Sequence, residues 1–484
     1  MNTFVAQTAG GTIARGFLIL ASAGLLGGLI ARGGLVVGFL LMALPLAAYF
    51  VYRIYDEPRL GLLFTIAAGF LGVGLRRYVP APTGLLVDAL LALTLVVVLL
   101  RRPDAWNWNR LKNGLTAACL IWFLYNVFEW FNPERPSMTA WFYAVRGVAL
   151  YLVLTAPLAL LIFDRRDDVD RVLRWWLILS VVGAFWGLKQ LFVGLDGSEQ
   201  TWLSIPGNQT THLLFGKLRV FSFYSDTGQF GAAQGHAAVV AGVLALGPGS
   251  FRRRLLYALV TALSLYGLLI SGTRGAVAVP LVGFVVFFIL SKNWKVLLIG
   301  LAGVFLVFGL LKYTHVGHNI YEVRRMRTAV VEGMDNPSLQ IRLENQKRLK
   351  AYLQSRPFGG GVGSAGYWGL RFSPDTFLAN LALDSWYVKI WAEQGPVGLY
   401  LYLAILAYLF TATLRRVVRI RDPMLRQQMI ALYAGLAGIA AASYGNQVLG
   451  QVPTGILVYL SLALLFLAPH FDTPEPPAIT EEPA

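Results

Sequence analysis

Cysteine is nearly missing: Cys119 stands alone among 484 residues and falls in an apolar run. That excludes an intrachain disulfide and a cysteine-rich metal site. Histidine is also scarce, with five in all, and the pair His315 and His318 lacks a nearby third ligand, so no metal site is expected. Charged residues make up only 14% of the chain against 56% hydrophobic ones, and the apolar residues come in blocks about as long as a bilayer is thick. A soluble chain is excluded. The alternating pattern of a membrane barrel is absent, as are a cleavable signal leading into a soluble domain and a serine or cysteine nucleophile signature.

What is there is an all-α, polytopic helical membrane protein, because only helices satisfy their own backbone hydrogen bonds in lipid. Candidate spans lie near 13–31, 35–52, 60–76, 83–100, 112–131, 145–163, 172–194, 229–247, 255–271, 274–291, 295–312, 385–413, 427–447 and 452–469. Glycines between the first two allow a single re-entrant pair, so about 12–14 transmembrane helices are expected, that range being the count of these spans with and without the pair.

A net charge of +16 would suggest nucleic acid in a soluble protein. Here most of it sits in short loops between spans, so no nucleic-acid partner is expected. With the N-terminus inside, one set of short loops holds 20 basic residues and the opposite set 6, which fixes orientation. Both termini are then cytoplasmic. Two longer polar segments, 195–228 and 313–384, fall together on the outer face. The tail 471–484 is rich in Pro and Glu and reads as disordered.

In the second polar segment, Leu339, Leu343, Leu349 and Leu353 recur near helical spacing, with Ser338 as N-cap and Pro357 just past the end. The pattern fits an amphipathic helix on the membrane surface or one packed on the spans. After it, GVGSAG at Gly361 to Gly366 matches a dinucleotide fingerprint but lacks the strand and helix that motif needs, so the run reads as a tight turn or a close backbone approach.

Arg274 sits in SGTRGA between two spans with almost no loop. An arginine so placed either snorkels to lipid phosphates or serves a site, and its planar fork of donors suits a diphosphate. Arg219 lies just before the span at 229–247, on the same face, with Asp226 seven residues on. His236, deeper in that span, reads as a hydrogen-bonded interior histidine. Asp384 opens the span at 385–413, where it caps the helix or acts as a base. Glu393, nine residues later, points to a different side and pairs instead with Lys389.

From about 255 to 405 the order of features resembles the bacterial O-antigen ligase and O-antigen polymerase superfamily of membrane glycosyltransferases. It comprises a span ending in SGTRGA, two further spans, a long outer loop with an amphipathic helix, RPFGGGVG, and DSWYVKIWAEQGPVGL running into a span. The family typically carries His-Asn just before that last span; Asp384-Ser385 stands there in this chain.

The resemblance implies an N-terminal helical region over 1–254, an O-antigen ligase-like region over 255–470 and a cytoplasmic tail. It implies a metal-independent glycosyltransferase of the cytoplasmic (inner) membrane, with no cofactor and its active site facing outward. A polyprenyl-diphosphate-linked glycan would be the donor, and a hydroxyl of a second glycan or glycolipid the acceptor. Arg219 and Arg274 would hold the diphosphate, Asp384 would take the acceptor's proton, and Asp226, Tyr367 and Trp386 would contact substrate, with membrane lipids around them. Polymerase and ligase both remain open. A lipid-linked oligosaccharide flippase or other transporter and a non-catalytic membrane scaffold are the competing classes, but the halves show no internal repeat, the polar residues gather at one face, and a scaffold would not require Arg274 where it stands.

Overall fold

A computed structural model describes residues 44–79, 81–214, 216–291, 294–314, 323–325, 327 and 337–472. Helices dominate; among the described residues the strands are a two-residue ladder, Leu213–Leu214 (β1) against Lys217–Leu218 (β2). The helices that matter below are Arg59–Leu75 (α1), Leu85–Leu100 (α2), Gly114–Phe128 (α3), Met138–Val145 (α4), Tyr151–Ile162 (α5), Arg166–Phe192 (α6), Thr227–Ala245 (α7) and Phe251–Ile270 (α8). They continue with Ala278–Leu290 (α9), Trp294–Tyr313 (α10), Pro337–Tyr352 (α11), Gly366–Phe372 (α12), Trp386–Val417 (α13), Pro423–Ala442 (α14) and Thr454–Phe471 (α15).

Among the described residues, 6 helices are long and apolar enough to cross a membrane: Gly114–Phe131, Met138–Ile162, Arg166–Phe192, Phe251–Ile270, Trp386–Val417 and Thr454–Phe471. Shorter apolar helices, Arg59–Leu75, Leu85–Leu100 and Arg274–Leu290, occupy three more predicted spans. The spans expected at 229–247, 295–312 and 427–447 are the helices α7, α10 and α14. The predicted span 13–31, the tail from 473 on, and His315 and His318 lie outside the described residues.

Two helices form the heart of the bundle. α7 packs on α8 and α14, and α15 on α5, each buried on nearly every side. In α7 the run GQFGAAQGHAAVVAG supplies the small residues that let neighbouring backbones approach. His236 enters this core fully buried, beside Gly435, whose missing side chain leaves room for the ring. It differs from expectation in one respect: neither ring nitrogen has a hydrogen-bond partner among the described residues. The ring meets Trp176 edge to face at 4.5 Å instead, an apolar contact that a surrounding of small aliphatic side chains dictates.

The bundle has two distinct ends. At one, the basic loops are tied to one another by ion pairs: Arg59 with Asp164 and Asp168, Arg166 with Asp422, Arg171 with Glu57 and Arg253 with Asp170. Away from these pairs, the described parts of the two long polar segments meet at Gly272, which lies between Arg219 and Arg325.

The amphipathic helix α11 resolves one open alternative for its C-terminal half. Leu349 and Leu353 are buried with Leu378, Leu381, Leu383 and Ala392 in a small second core, so these leucines pack on protein and not on lipid. The glycine run that follows is the close backbone approach expected of it. Gly359 and Gly395 both have positive φ, +73° and +65°, and each occupies space that a side chain on the other segment would need. Gly360 N donates to Ala392 O at 3.0 Å and Val397 N to Pro357 O at 3.3 Å. Residues 356–366 are thereby locked to a kink in α13. Glu393 belongs to this lock: its carboxylate accepts from Ala365 N at 3.3 Å, and no ion pair within hydrogen-bonding reach joins it to Lys389. The expected pairing gives way because burial of a carboxylate demands a fixed donor, which the turn supplies.

Candidate active site

Asp226 is the N-cap of α7, its Oδ1 accepting from Gln229 N at 2.9 Å. Ser225 Oγ donates to its other oxygen at 2.8 Å and Gln451 Nε2 to the same oxygen at 3.4 Å. The side chain therefore serves first to start the helix beneath the site.

Arg219 is brought over that helix start by the first polar segment. Arg77 holds the segment in place: its guanidinium donates to Ser222 O and Tyr224 O and lies over the rings of Trp202 and Phe221, at 4.3 and 4.5 Å. Burial lowers its pKa to about 10, which leaves it charged at neutral pH. Arg219 Nη1 donates to Thr211 O at 2.9 Å and Nη2 to Thr273 Oγ1 at 3.0 Å. Thr273 Oγ1 in turn donates to Thr227 O at 3.0 Å.

Thr273 is the residue before Arg274, which starts a single 3₁₀ turn, Arg274–Val277. Arg274 is half-buried there. The two arginines picked out from sequence therefore stand on touching segments. Between them Gly272 has φ +60°, and a methyl group on it would lie 3.2 Å from Arg325 Cδ and 3.8 Å from Arg219 Nε. A third arginine, Arg325, thus shares the rim.

Asp384 reaches the same region through Arg342 of α11. Arg342 Nε donates to Asp384 Oδ2 at 2.9 Å, with both side chains partly exposed. A methyl group on Gly445 would lie 3.6 Å from Gly275 Cα and 4.0 Å from Arg342 Nη1. One small turn thus separates Arg342, with its carboxylate partner, from the residue after Arg274. Asp384 does not cap α13: Ser385 does, its Oγ accepting from Val388 N at 3.4 Å. The carboxylate is left to the surface of the site.

Sequence reasoning missed the turn that joins α14 to α15, residues 443–451. Trp386 N donates to Ser443 O at 2.9 Å, Gln447 Nε2 donates to Leu383 O, and Asn446 Nδ2 packs against Gly275. This turn carries the 383–386 segment on one side and the SGTRGA turn on the other. Its only advance signal is a cluster of polar residues, SYGNQ, between two apolar helices.

The aromatic residues divide. Tyr367 is 58% exposed and meets Trp368 edge to face, while Trp368 stacks on Tyr143 of α4 at 4.8 Å. Trp386 is buried, its indole N–H donating to Tyr402 Oη at 3.0 Å. Its ring lines a neighbouring cleft, whereas Tyr367 is exposed. Among the described residues no group of three or more His, Cys, Asp or Glu side chains is placed to hold a metal ion.

The arrangement is a polar rim of arginines with Asp384 at its edge, carried on membrane helices. Such a rim can bind a doubly charged leaving group and place a proton acceptor beside it. Comparison with curated proteins finds no match. Comparison with protein families finds one, described as O-antigen ligase, over residues 259–403. The match runs from within α8 through the SGTRGA turn, α11 and the glycine run to the middle of α13, and supports glycan transfer in O-antigen or polysaccharide assembly by a multi-pass membrane protein. Over residues 259–403 the chain carries the O-antigen ligase domain of the O-antigen ligase and polymerase superfamily.

Proposed function

We propose that this protein transfers a glycan from a polyprenyl diphosphate carrier to a hydroxyl of a second glycan, at the outward face of the cytoplasmic membrane. The observation that carries the reading is the meeting of Arg219 with the Thr273–Arg274 turn, with Asp384 tied to the same turn through Arg342 and Gly445.

In the reaction an acceptor oxygen attacks the anomeric carbon, a C–O bond forms, and the bond from that carbon to the diphosphate oxygen breaks. The electron pair leaves with the diphosphate. Arg219 and Arg274 stabilise the charge that grows there, and because the Arg219 guanidinium is already held by Thr211 O and Thr273 Oγ1, it needs little reorganisation. Asp384 receives the hydroxyl proton, with Arg342 fixing the orientation of its carboxylate. The chemistry needs a leaving-group clamp and a base, both of which these side chains supply, so we infer a metal-independent reaction. The 20-to-6 bias of basic residues in the short loops supports the outward placement.

The test is complementation of a deletion strain with wild type, Arg219→Ala, Arg274→Ala or Asp384→Asn, with gels that resolve chain length and lipid attachment. Single repeat units on the surface lipid without long chains identify a polymerase; long chains left on the polyprenyl carrier identify a ligase. Wild-type glycans in all three variants at equal expression would refute the reading.

A further inference from the structure

At the start of α13, where Trp386 and Lys389 stand, lies a cleft of about 230 Å³. Arg146, Lys389, Tyr143, Trp368 and Trp386 line it, over a wall of small apolar residues from α1, α2 and the helix that begins at Met138. Nothing in the transfer chemistry above uses it.

Three features distinguish it from a packing gap. First, Arg146 and Asp88 lie within helices read as membrane spans, Nε to Oδ1 at 3.2 Å, and Asp88 also accepts from Tyr151 Oη at 3.1 Å. A largely buried ion pair within such helices is costly and seldom kept without a task. Second, the chain makes a π turn at Arg146–Leu150, between α4 and α5, and such turns tend to occur where a helix must present a side chain to a ligand. Third, Lys389 has no carboxylate within ion-pair distance among the described residues; its Nζ sits 5.9 Å from the centre of the Trp386 ring. Among the described residues the lining thus carries two cations and no carboxylate.

We propose that this cleft holds the phosphate headgroup of a second membrane-anchored substrate, distinct from the diphosphate at Arg219 and Arg274. An excess of positive charge selects an anion, and an arginine beside a lysine suits a phosphate. The apolar wall comes from membrane helices, which favours an anion carried by a lipid. At about 230 Å³ the cleft is smaller than pockets for whole small molecules, so it takes a headgroup and leaves the glycan outside. That this lipid carries the acceptor rests on the glycan-transfer reading; the binding of a phosphate does not.

The experiment is native mass spectrometry of the full chain in detergent, titrated separately with polyprenyl monophosphate, phosphatidylglycerol and inorganic phosphate. Wild type is expected to retain two polyprenyl phosphates. Lys389→Gln should weaken one of them about tenfold and leave the other, and Arg274→Gln should do the reverse. Asp88→Asn removes the competing carboxylate and should tighten the cleft site, an effect opposite to that of merely disturbing the fold. Retention unchanged in both Lys389→Gln and Asp88→Asn overturns the proposal. Equal retention of phosphatidylglycerol overturns the assignment to a substrate, and displacement of the second lipid by inorganic phosphate at equal concentration overturns the assignment to a lipid. If Arg274→Gln alone is without effect, the diphosphate reading fails and the cleft stands.

Discussion

Arg219 Nη2 donates to Thr273 Oγ1 at 3.0 Å, so two arginines 55 positions apart in the chain, Arg219 and Arg274, are held on adjoining backbone. The hydroxyl acts twice, since it also donates to Thr227 O at the start of α7. Thr273→Val keeps the shape and removes both bonds, leaving a guanidinium donor without this acceptor. The expected outcome is a loss of about 1–2 kcal/mol in donor binding, read as a roughly tenfold rise in KM for the lipid-linked donor with kcat less affected. An unchanged KM would mean that Arg219 is positioned without the Thr273 hydroxyl.

Gly272 tests the crowding of the rim. Its φ of +60° is strained for any residue with a side chain, and the added methyl group would press on Arg325 and come into ordinary contact with Arg219. Gly272→Ala should cost about 1–2 kcal/mol of stability and lower activity more than a stability loss of that size explains. Thermal unfolding in detergent and glycan output measured together separate the two effects. A variant with wild-type output would remove Gly272 from the site.

His212 gives the first polar segment a pH dependence. It is buried between Trp202 and Phe221, with Nδ1 bonded to Asn208 O at 2.8 Å, and its backbone carbonyl accepts from Arg219 N. Burial lowers its pKa below the ordinary value, so the opened segment binds a proton more readily than the closed one. Its contribution to stability is present in full above about pH 6.5 and is lost as pH falls through the lower value of the folded segment. Acidification below about pH 6.5 should therefore raise protease sensitivity of residues 208–226 and weaken donor binding reversibly. His212→Phe should flatten that acid response; an identical acid limb in the variant would assign it to another group.

The interlocked glycines carry the heaviest structural cost. Gly359→Ala or Gly395→Ala places a methyl group into the opposing backbone, at positive φ in either case. Each should reduce folded protein in the membrane severely, by more than Gly366→Ala, where the φ is also positive but the space is open. Expression measured by detergent-resistant fluorescence of a C-terminal fusion checks the order. Equal yields from all three would remove the lock as a folding requirement.

Much of this was legible from residue types alone. Apolar blocks of bilayer length become helices because lipid offers the backbone no other partner, and glycine runs become close approaches because nothing else fits. Arg219 and Arg274 could be picked out because an arginine beside a span is costly anywhere and useful at one place. The hub of the site could not. Ser443 O, Leu383 O and the backbone around Gly445 act as plain peptide groups, which carry no mark in a sequence. Arg342 looked like an ordinary polar position of an amphipathic helix, and its meeting with Asp384 depends on how α11 folds back over 42 residues. Asp384 itself was ambiguous until Ser385 was seen to cap the helix.

The central claim is that Arg219 and Arg274 grip one leaving group. A double-mutant cycle with Arg219→Gln and Arg274→Gln, read as kcat/KM for transfer from a polyprenyl-diphosphate-linked donor by the purified protein, tests it most directly. The expected result is strong non-additivity: each single variant loses on the order of a hundredfold, and the double variant loses at least 1 kcal/mol less than the sum. Losses that add within about 0.3–0.5 kcal/mol would place the two arginines on separate ligands and contradict the site described above.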